Sequence, residues 1–353
     1  MDTSWGRSPD TVNTGSIRHR RITVDRFGGP EALRVTDGET PPPAPGHTRI
    51  RVLAAGVGRT DLMARSGDYI LQRRAPFTPG YEFVGEVVDH GDGAADDAPA
   101  PGTIVAAALP AMGAYTEYAS VPTWLLIEVP AGMSPHTAAS IPLDYLTAIS
   151  LLDTHARVRT GDTVLIHGAS GSVGAALVGL GHARGLRMYG TASVPAAIER
   201  LTGEDVTMID YRRQDFETVI KQQEPAGITA VFDHLGGAGI RKGFRLLGPG
   251  GVLVSYAFAG RPGHMVADTV RGAALVTLMG LRPRRRTALC MVPREIRADH
   301  AWYRRTMRSL LDSVGRGDID APPTTTFPLR EAGAAHAALE HREVSGKIVL
   351  TTA

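Results

Sequence analysis

The stretch TVLIHGASGSVGAALVGLGHARG at 163–185 restricts the fold more than any other part of the chain. It opens on Val164, Leu165 and Ile166, a short continuous apolar run of the kind that forms a strand buried on both faces. A glycine turn follows, Gly168-Ala169-Ser170-Gly171-Ser172-Val173-Gly174, and an apolar segment of helical composition runs on to Arg184. A strand that turns sharply through glycines into a helix begins a parallel βαβ unit. Gly171 would let backbone approach a pyrophosphate, Gly174 would let the helix pack closely on the strand, and the amides opening the helix would point at the anion. Ser170, Gly171, Ser172, Val173 and Gly174 are therefore the expected cofactor cradle, against the plainer reading of a tight turn in an ordinary α/β domain.

The rhythm of strand and helix continues past this loop. Apolar runs at 187–191, 207–210, 230–233 and 251–256 join the one at 163–167 as strands of a doubly wound parallel sheet. The second strand ends Gly190-Thr191-Ala192-Ser193, without the acid that would accept hydrogen bonds from an adenosine ribose. A 2′-phosphate would meet no carboxylate there, Ser193 could donate to it, and Tyr211 and Arg212 could add a hydroxyl and a cation. The expected cofactor is NADPH rather than NADH. Tyr211 and Arg212 read equally as solvated loop residues.

Before this region, from about residue 20 to 130, short runs at 50–54, 83–88, 104–108 and 125–129 alternate with Gly and Pro punctuation, the pattern of antiparallel sheet. At 353 residues the chain exceeds what one core usually organises, and a 43% hydrophobic content can fill two. The boundaries expected are a mobile N-terminal arm at 1–18, a first domain at 19–142 completed by 287–353, and the inserted dinucleotide-binding domain at 143–286. A net charge of +2, without long blocks of one sign outside a few Arg clusters, argues against a nucleic-acid surface. The single cysteine, Cys290, excludes an internal disulfide and a zinc site built from several thiolates. With no apolar run long enough to cross a bilayer, the cytoplasm is the expected compartment.

The glycine loop, AAGVGRTDLMARSGDY at 54–69, PGYEFVGEVVDHG at 79–91, LDYLTAISLL at 143–152, VFDHLGG at 231–237 and GKIVL at 346–350 together resemble the medium-chain dehydrogenase/reductase superfamily. Within it they are most similar to the zinc-independent quinone oxidoreductase and enoyl reductase branch. The resemblance covers the chain from about residue 20 onward. It implies an α/β architecture in which a GroES-like, mostly-β catalytic domain is split around an inserted Rossmann domain, with the active site between them. Metal-using members place thiolate and imidazole ligands where this chain has Gly58 and Tyr81, neither of which can replace them, so no metal is expected there.

Without a Lewis acid, the chemistry implied is hydride transfer from NADPH to a quinone or an α,β-unsaturated carbonyl, with hydrogen-bond donors meeting the charge that forms on the acceptor oxygen. By resemblance Tyr69 is the first candidate donor and Thr147 a residue near the nicotinamide, with Gly58 and Tyr145 as pocket candidates and Lys347 as a late basic residue near the cofactor. Packing in the cleft wall is the plainer role for Tyr69, and a solvent-facing charge the plainer role for Lys347. Asp61 and Arg65 are expected to form a charge pair bracing the cleft, and Glu82 to pair with an Arg or a backbone amide. Two departures stand out: Gly58 where many relatives have Asn, and Ala197 where many NADPH users have Lys, for which Arg59 or Arg200 could compensate.

Arg282, Arg284, Arg285, Arg286, Arg294 and Arg297 could receive the phosphate of coenzyme A or of a carrier protein, or form a solvated face. The function expected is an NADPH-dependent reductase of a small conjugated carbonyl compound or quinone, possible in bacterial specialised metabolism. An enoyl-thioester reductase and a dinucleotide-binding protein with little turnover are the alternatives. A homodimer is expected from the resemblance.

Overall fold

A computed structural model describes residues 15–93, 97–258, 260–261, 263–344 and 346–352. Six parallel strands stand in the order Val206–Asp210, Arg187–Ala192, Thr163–Ile166, Ile228–Asp233, Leu247–Ser255 and Arg286–Leu289. Counted along the chain this is 3-2-1-4-5-6, the doubly wound order, and it reverses between Thr163–Ile166 and Ile228–Asp233. The continuous apolar run at 164–166 has its cause in this placement. Val164 and Ile166 point into a core continuous with that of the antiparallel unit, while Leu165 points the other way into a second core with Tyr189, Ile209, Val231 and Leu253. Full burial of each such side chain contributes about 1.5–3 kcal/mol.

The second sheet is mixed. Thr324–Pro328, Lys347–Thr351, His47–Val57, Glu82–His90, Ile104–Ala108 and Ile127–Glu128 follow one another across it, and Tyr118–Pro122 also pairs with His47–Val57. The closing strand Lys347–Thr351 thus returns to the first sheet, as expected, running antiparallel to His47–Val57. A hairpin of Ile17–Val24 and Leu33–Thr40 packs beside it.

Four expectations need correction. Residues 1–14 lie outside the described residues, but Ile17 and Arg18, assigned to a mobile arm, begin the first strand and pair with Thr40 and Glu39. Arg286–Leu289 is a sixth parallel strand, paired with Leu247–Ser255, where the inserted sheet was expected to have ended. Its four residues sit among arginines at a sheet edge, so no apolar run announces them. Of the run at 125–129 only Ile127–Glu128 is strand, and Leu125 ends a single helical turn, Thr123–Leu125. Asp61 and Arg65 do not pair: Asp61 accepts from backbone amides, and Arg65 binds Glu340 at 3.1 Å.

Candidate active site

The glycine turn leaves the C-terminal end of Thr163–Ile166 at the point where strand order reverses, the usual ligand crevice of such sheets. Gly168 has φ +62, and a Cβ there would lie 2.3 Å from Cε1 of His234. Gly171 precedes the helix Ser172–Ala183, and no side chain caps that helix. Its first-turn N–H groups are thereby left for an external acceptor, with the positive end of the helix dipole behind them. A Cβ on Gly174 would lie 2.2 Å from the Gly168 carbonyl oxygen and 2.7 Å from Cα of Ala169, so only glycine lets the helix seat on the turn. Ser170, Gly171 and Ser172 are exposed, Val173 half-buried and Gly174 buried. This cradle fits a dinucleotide pyrophosphate, whose negative charge it would meet with backbone donors.

Ser193 is buried just past the second strand. A hydrogen bond with Ser193 holds the Tyr211 phenol below its ordinary range, and the Arg342 guanidinium acts in the same direction. Sequence reasoning missed Arg342, which stands ahead of the closing strand and far along the chain from Tyr211. Ser193, Tyr211 and Arg342 converge just past the C-terminal end of the second strand. Arg212 is exposed beside them, its amide bound to Oδ1 of Asp210 at 3.0 Å.

His167 and His234 flank the crevice. His167 has no exposed surface, and burial drives its pKa down to about 3. Burial and the charge of Arg59 take His234 down to about 4, while its bond to the His167 backbone opposes the shift. Both rings are neutral at pH 7. The Tyr256 hydroxyl lies 3.3 Å from Nδ1 of His234, and burial raises the Tyr256 phenol well above its usual range. Next to His234, Asp233 is raised to about 6, first by burial, although the Gly236 amide donates to it at 3.0 Å.

Across the seam, Asp68 accepts from the Gly263 amide at 2.8 Å, so the segment carrying Tyr69 abuts the nucleotide-binding unit. The Tyr69 ring meets Tyr81 edge-on with centroids 6.0 Å apart. Burial pushes Tyr69 up to about 12, partly opposed by the hydrogen bond from Tyr81. Tyr69 is thus a protonated phenol at physiological pH, able to donate a hydrogen bond and unsuited to act as a base. Beneath this pair, Asp61 Oδ2 and Oδ1 accept from the amides of Gly58 and Gly80 at 2.8 and 3.0 Å. Burial nevertheless raises Asp61 to about 7.

The helix Pro142–Ile149 packs against the glycine-loop helix. On it Thr147 is half-buried, its hydroxyl donating back to the Leu143 carbonyl at 2.7 Å. Tyr145 is not a free pocket donor: its hydroxyl is bound to the Asp320 carbonyl at 2.7 Å, and its ring is buried. Lys347 is likewise not solvent-facing. It is 1% exposed, and its Nζ lies 2.5 Å from Glu82 and 2.6 Å from Asp144. Two buried carboxylates require a cation between them, and the other oxygen of Glu82 accepts from the Leu143 amide at 2.8 Å. Glu82 therefore does take a backbone amide, but with Lys347 rather than an arginine. Gly58 has extended φ near −127, and a Cβ there would meet nothing closer than 3.6 Å, so the glycine leaves room in the cleft without being required by the backbone.

Comparison with known proteins fits this geometry. Residues 44–131 match the alcohol dehydrogenase GroES-like domain family and residues 203–350 the zinc-binding dehydrogenase family. The chain is 31% identical over 346 residues to a 2-haloacrylate reductase of a Burkholderia species, covering 93% of this chain and 97% of that one. This chain belongs to the zinc-independent medium-chain dehydrogenase/reductase superfamily, in its quinone oxidoreductase and enoyl reductase branch. It is also 34% identical over 244 residues, 68% of its length, to the human synaptic vesicle membrane protein VAT-1 homolog, of which that match spans 61%. A mycobacterial protein solved in complex with NADPH superimposes with a TM-score of 0.80 at 29% identity, over 94% of this chain and 99% of that one. Gly58, which has no side chain, and the buried Tyr81 offer a metal neither a thiolate nor an imidazole. No helix among the described residues is long and apolar enough to cross a membrane.

Proposed function

We propose that the chain is an NADPH-dependent reductase that passes hydride to a quinone or an α,β-unsaturated carbonyl compound. The observation that carries this reading is the uncapped N-terminus of the helix Ser172–Ala183, seated by Gly174 against the Gly168 carbonyl at the sheet's switch point. The phosphate-selecting group would be Ser193, Tyr211 and Arg342, with no carboxylate at the end of the second strand. The bound cofactor supplies the hydride. The protein's own part is to orient it through the glycine loop and Thr147, and to hold the Tyr69 hydroxyl as a donor for the oxyanion that forms on the acceptor. The relative from Burkholderia is named for an acrylate, which is a conjugated carbonyl compound.

The alternative of an enoyl thioester carried on a phosphate-bearing partner draws support from cations near the seam. Arg59 and Arg297 are exposed, and their charges act on His234 and on Tyr81. Arg285 is less available, because it stacks on Phe244 and donates to the Phe244 carbonyl. We place the protein in the cytoplasm, in keeping with its single buried thiol. We also propose a homodimer, because the outer strand Arg286–Leu289 presents an unpaired edge beside exposed Leu278, Leu281 and Leu289.

A panel of quinones, enones and enoyl thioesters with stereospecifically deuterated NADPH tests the function. Transfer of one prochiral deuterium to the β-carbon of an enone, or to a quinone, is expected. Tight NADPH binding without turnover on any acceptor would favour a binding protein instead.

A further inference from the structure

A second polar cluster lies away from the glycine loop, where the last part of the helix begun at Pro142 meets the helix Val292–Ala298. Residues Ser150–Ala156 form a π-helical turn, wider than an α-helical one. In an α-helix, at about 100° per residue, Ser150 and His155 would point roughly 140° apart. In the wider turn, whose bonds run from i to i+5, both reach the same carboxylate. Nε2 of His155 lies 2.9 Å from Oε1 of Glu295, and the Ser150 hydroxyl donates to Oε2 of Glu295 at 2.5 Å. Cys290, directly after the sixth strand, places its Sγ 3.6 Å from the Ser150 oxygen.

The donor atoms of His155, Cys290 and Glu295 all lie within 4.8 Å of one another. A tetrahedral zinc ion with Zn–S near 2.3 Å and Zn–N and Zn–O near 2.1 Å needs its ligand atoms about 3.4–3.6 Å apart. The present spacing reaches that with shifts of about an ångström: the His155–Glu295 pair opens and Cys290 closes in. The donor set is one thiolate, one imidazole and one carboxylate, the mixture that suits a borderline-soft divalent transition metal over magnesium or calcium. The side chains of His155 and Glu295 are 18% and 22% exposed, so an ion has a way in and a water can take the fourth position.

We propose that His155, Cys290 and Glu295 form a binding site for a divalent transition-metal ion of the zinc type, separate from the cleft and without a part in hydride transfer. On binding, the Cys290 thiol releases its proton to solvent, and His155 presents Nε2 with its remaining proton on Nδ1. Glu295 exchanges its bond to His155 for one to the metal and keeps that from Ser150. The ion would tie the π turn to the segment that leaves the parallel sheet.

Cobalt(II) titration of the metal-stripped protein reads this directly. The expected result is one equivalent bound, with a near-ultraviolet sulfur-to-cobalt charge-transfer band and the visible bands of a four-coordinate ion. Cys290→Ser should abolish the charge-transfer band. His155→Gln, at the accessible rim, should weaken cobalt binding by more than the about 10–100-fold typical of losing a supporting residue. Unchanged NADPH affinity in both variants certifies their fold, and His155→Gln decides alone if Cys290→Ser does not fold. Absence of a thiolate band at millimolar cobalt, a band that persists in Cys290→Ser, or unchanged cobalt affinity in His155→Gln overturns the proposal.

Discussion

Two glycines of one helix should respond to the same substitution with opposite signs. In Gly174→Ala the new methyl group would stand 2.2 Å from the Gly168 carbonyl oxygen and 2.7 Å from Cα of Ala169, both backbone atoms that no rotamer change can move. An acceptable carbon–oxygen contact is near 3.2 Å, so the helix start must withdraw by about 1 Å, the scale of misfit that costs about 1–3 kcal/mol in a packed interior. The same withdrawal stretches amide–phosphate hydrogen bonds from about 2.9 to about 3.9 Å, beyond bonding range. Losing one or two bonds to a charged group, at about 1.5–3 kcal/mol each, weakens NADPH binding by at least roughly 10-fold and toward 10⁴-fold. Gly179, one turn and a half further along, is exposed, and no atom lies within 4 Å of the place its methyl group would take. Gly179→Ala should therefore stabilise the apoprotein by about 0.5–1 kcal/mol and leave NADPH affinity unchanged. Urea unfolding of the apoproteins and calorimetric NADPH titration measure both effects. If Gly174→Ala binds NADPH with wild-type affinity, the argument that this helix start grips the diphosphate is wrong.

Four further outcomes follow from the same geometry. Tyr69→Phe should lower kcat by about 10²-fold, as loss of an oxyanion donor does, without changing NADPH affinity; an unchanged kcat returns Tyr69 to packing alone. Arg342→Ala should weaken NADPH by roughly 5–30-fold, corresponding to about 1–2 kcal/mol, and leave NADH untouched, as read by the ratio of the two dissociation constants. Lys347→Met should destabilise the fold by about 3–5 kcal/mol in urea melts, because it leaves Glu82 and Asp144 buried without a cation, and adding Glu82→Gln and Asp144→Asn should recover part of the loss. For Asp61, the unfolded carboxyl has lost its proton above about pH 4 whereas the folded one keeps it to about 7. The native state then binds more protons between these values, so its stability from this group falls as pH rises through that window; Asp61→Asn should flatten the slope.

The parallel sheet was readable because its inner strands are covered on both faces, which writes them as unbroken runs such as Val164-Leu165-Ile166. Arg286–Leu289 escaped because an edge strand needs no such run. The glycine loop was readable because every part of it is local: Gly168, Gly174 and the helix they admit are neighbours in sequence. Groups assembled from distant segments were not. Lys347 looked like a surface charge because its partners, Glu82 and Asp144, lie more than 200 residues away in the sequence. Arg342 gave no sign of approaching Tyr211 for the same reason. Tyr145, flagged by its neighbourhood, proved to be spoken for by the Asp320 carbonyl, a contact that only the three-dimensional path of the chain creates.

The closing strand Lys347–Thr351 lies against His47–Val57, and Arg342 stands only a few residues ahead of it. A growing polypeptide consequently lacks Arg342, and one partner of a central early strand, until the segment that carries both has been made. Any NADPH binding that depends on Arg342 would thus wait for this late segment to join the early strand.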